Sequence, residues 1–509
     1  MRIARAKNTI RNALWGAIYR VITIIGPFAV KTLIVKQLGL EYSGLSSLFT
    51  SILTVLNLTN LGFSSSIVFT MYKAIAEDDI DSQCAMLRFY RHVYKIVGFT
   101  ILGLGMALMP FLPSLVKGDI PVGINLYALF AIYLAETSLD YLMFAYVTAI
   151  FTAYQRNDVT LKISTVRYII QYSLQATALL VFPNYYIYII ILPLMVVPNN
   201  IANYIAATKL YPQLTCRGDL DKQTRRDIYK RVVTLFGHKV GSTVLVSIDS
   251  IIISAYLGLT EMGKYGNYYY ILIAVNALVE IVTNGASSGI GNKLVMDSKE
   301  DNYALFKTLS YGWMFLIGAA AACMMCLYQP FIGGIWYNES YLMDIRLVAL
   351  LVVYFYSWMF RIMQLTYRDA AGLWTKDWLK PYIAMIVNVT GSLMMVKTTH
   401  SVAGVLIPTI FCFLFIYFPW EAWAVFKYLF YGGLKHYYGK CMFYTLLTCA
   451  TCSISFLICQ LLSPMNSVAS FFIRLPIPVL VHCIIWWCFT CRSREYNQLK
   501  GIMLRFVKK

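Results

Sequence analysis

The feature that most restricts this chain is a succession of apolar runs, each about 20 residues long, divided by short polar gaps. A helix crossing the hydrocarbon core of a bilayer needs about that length. Within lipid, only helices and closed barrels satisfy their own backbone polar groups. About fourteen runs qualify as spans: 13–36, 45–71, 93–116, 124–151, 163–183, 185–208, 235–258, 266–290, 308–328, 345–368, 381–398, 402–427, 442–462 and 471–491. The runs at 163–183 and 381–398 are the shortest or most polar. Of 509 residues, 13% are charged, whereas soluble domains carry about 25%. No polar stretch is long enough to form a soluble domain. The expected fold class is therefore all-α: a polytopic membrane protein.

The formal net charge of +19 would suggest nucleic-acid binding in a soluble protein, but its distribution argues otherwise. With the N-terminus placed in the cytoplasm, inside segments hold about 32 Lys and Arg and outside segments about four, namely Lys36, Lys117, Lys264 and Lys397. An odd error in the number of spans would scramble this alternation, so both termini are expected to be cytoplasmic. No nucleic-acid partner is expected; the basic gaps face anionic membrane lipids. The first run contains Arg20, Pro27 and Lys31 and lacks a small-x-small cleavage site, so it reads as a retained span. Twelve cysteines include Cys323/Cys326, Cys449/Cys452 and Cys488/Cys491, but no His or carboxylate neighbours them as a zinc site requires. They read as small buried apolar side chains; no metal or cofactor is expected.

The longest inside gap, 209–234, is strongly basic and separates six spans from eight. Leu38-Gly39-Leu40-x-x-x-Gly44 after the first span recurs as Leu257-Gly258-Leu259-x-x-x-Gly263 after the seventh, an offset of 219 residues that also places Arg20 on Lys239 and Asn57 on Asn276. An odd span matched to an odd span keeps its direction in the membrane, which is a parallel repeat about an axis along the membrane normal. The expected organisation is an N-terminal six-helix lobe (1–208), a basic cytoplasmic linker (209–234), a second, pseudo-symmetric six-helix lobe (235–427), and two additional helices with a basic tail (428–509).

Ionisable groups inside spans cost about 2.5–3.5 kcal/mol each and so face cavities or partners. Arg20 and Lys31 share a helical face; with Lys239, Arg167 and Arg361 they are candidate anion-binding cations, although Lys31, Arg167 and Arg361 are near enough to a boundary to snorkel. Glu136, Asp140, Asp249 and Glu280 are too short to snorkel and either balance these cations or bind a coupling ion. Asn57, Asn60 and Asn276 belong to polar stripes that line a cavity or join helices by hydrogen bonds. No residue set suggests catalysis. Nor is there a phosphate-binding loop, so the membrane potential or an ion gradient is the expected energy source. A basic intramembrane cavity suits a phosphorylated cargo, since Arg grips phosphate through paired bonds and Lys acts as a point charge.

The segments Leu38-Gly39-Leu40-Glu41-Tyr42-x-Gly44-Leu45, Asn57 to Ser66, Val68-Phe69-x-x-Tyr72-Lys73 and Gly372-Leu373-Trp374-x-Lys376-Asp377-x-x-Lys380-Pro381 together resemble the polysaccharide repeat-unit flippases of the multidrug/oligosaccharidyl-lipid/polysaccharide exporter superfamily. The resemblance implies two six-helix lobes that alternate access. It further implies a polyprenyl-diphosphate-linked oligosaccharide moved across a bacterial cytoplasmic membrane for surface polysaccharide synthesis, and polysaccharide-assembly membrane proteins as partners. Arg20 and Lys239 would then suit the diphosphate. Two other readings compete: a cation-coupled drug or small-molecule antiporter, kept open by Glu136, Asp140 and Glu280, and a membrane polymerase or glycosyltransferase, for which the outer loops are short.

Overall fold

Every regular element among the described residues is helical in the computed structural model, which describes residues 5–57, 63–118, 120–462 and 467–507. Among these, nine helices are long and apolar enough to cross a membrane, or ten if Leu126–Leu142 and Ala145–Ala153, bent by 50°, make one span. The other expected spans also coincide with helix. The run 381–398 falls in Lys380–Thr399 and all but the last two residues of 163–183 fall in Asn157–Val181, helices too polar to qualify by hydropathy. The span at 266–290 lies within Leu259–Met296, and the one at 45–71 includes residues outside those described. The chain is a multi-pass, all-α membrane protein.

It divides into two compact units, Met1–Gly263 and Lys264–Lys509. The first contains α1 (Arg5–Gln37), α2 (Leu40–Leu56), α3 (Phe63–Ala76), α4 (Ile80–Leu108), α5 (Leu126–Leu142), α6 (Thr148–Ala153), α7 (Asn157–Val181), α8 (Tyr185–Leu210) and α9 (Lys222–Leu257), and α10 (Leu259–Met296) opens at its end. Short polar side chains start several of these helices by accepting otherwise unpaired backbone N–H groups. Asp79 takes that of Ser82, Asn125 those of Tyr127 and Ala128, and Asp221 that of Thr224. Two apolar clusters hold the unit together. One joins Leu45, Phe49, Phe130 and Ile189; the other joins Met71, Tyr90, Phe151 and Ile228. Helix α1 packs along α7, α5 along α4 and α8, and α2 along α9. The expected boundary at 209–234 assigns α9 to the second half, whereas by packing α9 belongs with the first unit. The lobes expected from sequence are repeat copies, which need not coincide with compact units, and as repeat copies they remain a proposal.

The repeated Leu-Gly-Leu-x-x-x-Gly segments meet each other. Gly39 and Gly258 have φ of 119° and 95°, a region glycine enters without steric cost, and each turns the chain into the next helix. A Cβ on Gly44 would strike the carbonyl oxygen of Leu259, and one on Gly263 would strike that of Leu40. Thr260 Oγ1 donates to Glu41 Oε1 at 3.0 Å across 219 residues of sequence. Reciprocal contacts of this kind are what two copies about a two-fold axis produce.

The second unit holds most of α10, then α11 (Lys299–Pro330), α12 (Ile345–Phe360), α13 (Ile362–Ala370), α14 (Lys380–Thr399), α15 (Ala403–Phe411), α16 (Phe418–Val425), α17 (Leu434–Leu462), α18 (Val468–Arg474), α19 (Pro476–Thr490) and α20 (Arg494–Val507). Helix α11 packs against α12, α17, α19 and α20. A π-helical turn at Cys412–Tyr417 joins α15 to α16; such widened turns re-aim the side chains that follow. Large apolar side chains on α17 and α19, including Leu446, Leu457, Ile484 and Trp487, are exposed, as a lipid-facing surface requires.

Candidate functional site

In the first unit the site grows from the pairing of α1 with α7. Asn12 Nδ2 donates to the Gln155 carbonyl at 3.1 Å, and the Asp158 N–H donates to Asn12 Oδ1 at 2.7 Å. Further along, the Tyr19 and Tyr168 rings meet edge-on at 5.9 Å. The Asp158 carboxylate is 3% exposed. It receives Arg11 at 2.5 Å from α1 and Arg156 Nε at 2.9 Å.

Beside this junction lies a cavity of about 710 Å³ bordered by α1, α7 and α8. One wall is apolar because α7 places Val159, Ile163, Val166 and Ile170 at intervals of three or four residues, opposite Met195 and Ala202 of α8. The lining also carries charge: Arg11, Arg156, Lys162 and Arg167, with Asp158 as the carboxylate among the described lining residues. Lys162 Nζ lies 5.8 Å from the Trp15 ring centroid, and the Arg167 guanidinium 4.4 Å from that of Tyr168. Arg167 reaches Glu136 only at 4.0 Å, and its buried Nε has no hydrogen-bond partner among the described residues. Asp140 is held separately, accepting from Asn200 Nδ2 at 3.1 Å. A lining with four cations and one carboxylate, one of the cations with an unsatisfied guanidinium Nε, favours an anion.

The other candidates are dispersed. Arg20 and Lys239 are exposed, Lys31 is half-buried, and Asp249 is buried in α9. Glu280 and Asn57 are half-buried. Asn276 is 4% exposed with both amide atoms lacking hydrogen-bond partners among the described residues. Asn60 lies outside the described residues.

Arg361 belongs to a closed ion network in the second unit. Its Nη1 binds Glu421 Oε1 at 2.8 Å, and Lys380 binds the same oxygen at 2.8 Å and Asp377 at 2.6 Å. Arg368 binds Asp377 and Asp369, both at 2.7 Å. The Tyr417 ring lies 4.6 Å from the Arg361 guanidinium and 5.1 Å from Lys380. Apart from Asp369, these charged side chains are at most 7% exposed. The expectation set Arg361 beside a bound cargo or near the headgroups; the structure matches its charge within the fold.

Sequence reasoning passed over Arg11, Arg156, Asp158 and Lys162, and also Glu421. Glu421 sits inside an apolar run, the same signal that singled out Glu136. Asp158 stands 219 residues before Asp377, so the repeat offset itself pointed to it.

No protein-family model matches the chain, and no curated relative does. Solved structures do. The lipid II flippase MurJ, in an inward closed conformation, superposes with a TM-score of 0.68 at 15% identity, covering 94% of this chain and 98% of its own. An inward-facing multidrug resistance MATE family transporter of the MOP superfamily gives 0.62 at 14% identity, with 81% and 98% covered. The fold is shared with these transporters. A eukaryotic MATE transporter matches at 0.56 with 12% identity, covering 86% of this chain and 98% of its own. At such identities the likeness speaks for architecture and leaves the chemistry to the side chains.

Proposed function

We propose that the protein is a transporter that moves a polyprenyl-diphosphate-linked oligosaccharide from the cytoplasmic to the outer leaflet of a bacterial cytoplasmic membrane, by alternating access and without enzymatic chemistry. The observation that carries this reading is the cavity bordered by α1, α7 and α8, whose lining combines four cations and one carboxylate with apolar side chains of α7 and α8. That division fits an amphiphile with phosphates at one end and hydrocarbon at the other. A cationic drug would meet like charges there, since Asp158 already has Arg11 and Arg156. A fold shared with a lipid II flippase supports the reading, while the fold shared with MATE transporters keeps the antiporter as the rival, with Glu136 and Asp140 as its carboxylates.

In this reading Arg167 contacts phosphate, Arg20, Lys31 and Lys239 line the route, both termini face the cytoplasm, and polysaccharide-assembly proteins deliver the cargo on that side and collect it on the other. The test is a proteoliposome assay following a fluorescent lipid-linked oligosaccharide between leaflets. Wild type translocates it; Arg20→Ala and Lys239→Ala lose translocation at unchanged protein abundance. Proton- or sodium-driven uptake of a cationic dye, with no movement of the glycolipid, would replace this reading with the antiporter.

A further inference from the structure

The 219-residue offset relates two carboxylates, Asp158 and Asp377, at the entries to α7 and α14. Both are buried, 3% and 0% exposed, and each is gripped by two basic side chains. Their surroundings differ. The partners of Asp377 are Arg368 and Lys380, with side chains 6% and 1% exposed. The partners of Asp158 are Arg11 and Arg156, 40% and 22% exposed, and both line the cavity. One copy of the feature is sealed; the other opens onto a space that Lys162 and Arg167 also line.

We infer that Asp158 is an exchangeable counterion, filling the anion site of the empty cavity until a phosphate group of the cargo takes Arg11 from it. The inference rests on the proposed phosphorylated cargo. A carboxylate satisfies Arg11 and Arg156 in its absence, which spares the protein an uncompensated cluster of cations at the edge of the hydrocarbon. A diphosphate carries more charge and more acceptor oxygens than a carboxylate, so it competes well for a guanidinium. The exchange is also mechanical. Arg11 and Asn12 fasten the start of α1 to the α6–α7 turn through Asp158 and Gln155. Once Arg11 turns to the cargo, one of these three contacts is gone, and α1 registers that the site is loaded.

The test uses the purified full-length protein in detergent, with inorganic pyrophosphate as the probe. Asp158→Asn removes the competing charge and is expected to tighten pyrophosphate binding by about three- to tenfold, Asp158→Glu to restore wild-type affinity, and Lys162→Gln to weaken it. Because Asp158→Asn also disturbs the junction, hydrogen exchange on the wild type supplies a second readout: bound pyrophosphate should speed exchange at residues 8–16. Unchanged or weaker binding by Asp158→Asn, no effect of pyrophosphate on that exchange, or no pyrophosphate binding at all overturns the inference. The two readings fail separately. If pyrophosphate responds to Asp158 as described but no glycolipid is flipped, the exchange stands and the cargo is wrong. If glycolipid is flipped while binding ignores Asp158, the reverse holds.

Discussion

Replacing Glu421 by Gln strikes the ion network at its most shared member. Its Oε1 accepts from Arg361 and Lys380, both at 2.8 Å, and its side chain is 0% exposed. Counting Asp369, the network has three cations and three carboxylates, so it is neutral; the substitution leaves one positive charge uncompensated away from water. Removing one partner from a buried ion pair costs about 3–5 kcal/mol. For a unit of this size each kcal/mol moves the melting temperature by about 2–4 °C, so a loss on the order of 6–20 °C is expected in detergent. Arg361→Met combined with Glu421→Leu removes both ends of one pair and should recover more than half of that loss, since apolar isosteres replace buried pairs at little cost. The assay is thermal unfolding of the purified protein followed by tryptophan fluorescence. A Glu421→Gln variant melting within 2 °C of wild type, or a double variant less stable than the single one, would refute the view that this network is a structural tie.

Three further outcomes follow from the geometry. Arg167→Gln should lower glycolipid transport by about tenfold, whereas Arg167→Lys keeps the charge but loses the fork and should fall between the two; initial rates in proteoliposomes decide. Gly44→Ala and Gly263→Ala should each cost about 1–3 kcal/mol through overpacking against main chain, read as a lowered melting temperature. Asn12→Ala leaves the Gln155 carbonyl and the Asp158 N–H without this partner and should cost about 1–3 kcal/mol, with faster hydrogen exchange in the first turns of α1 and α7.

The helical class was legible because lipid leaves the backbone few alternatives, and a run such as Leu434–Leu462 declares itself by length alone. The interruptions were not. The break between α12 and α13 at Arg361 and the π-turn before α16 depend on what packs around them, and no local periodicity encodes that. Charged residues were legible as unusual where hydrocarbon makes them costly, as with Arg361 and Glu136. Their partners were not, because Glu421 lies 60 residues from Arg361 and helix packing alone brings them together. Asp158 escaped notice for the opposite reason. It lies in a polar gap between two expected spans, where a carboxylate is unremarkable until the Arg11 side chain is seen folded onto it.

The two glycines that rest on each other's leucine carbonyls bear on how this chain can change over generations. A side chain added to either one presses on main chain, which no rotamer adjustment moves aside, so neither segment drifts without disturbing its counterpart. Lipid-facing positions elsewhere are held less tightly, since lipid accepts almost any apolar residue. Here the glycines are held to their positions, two by these contacts and two by their positive φ, and that is a physical reason for the same glycine spacing to stand at both places in the sequence.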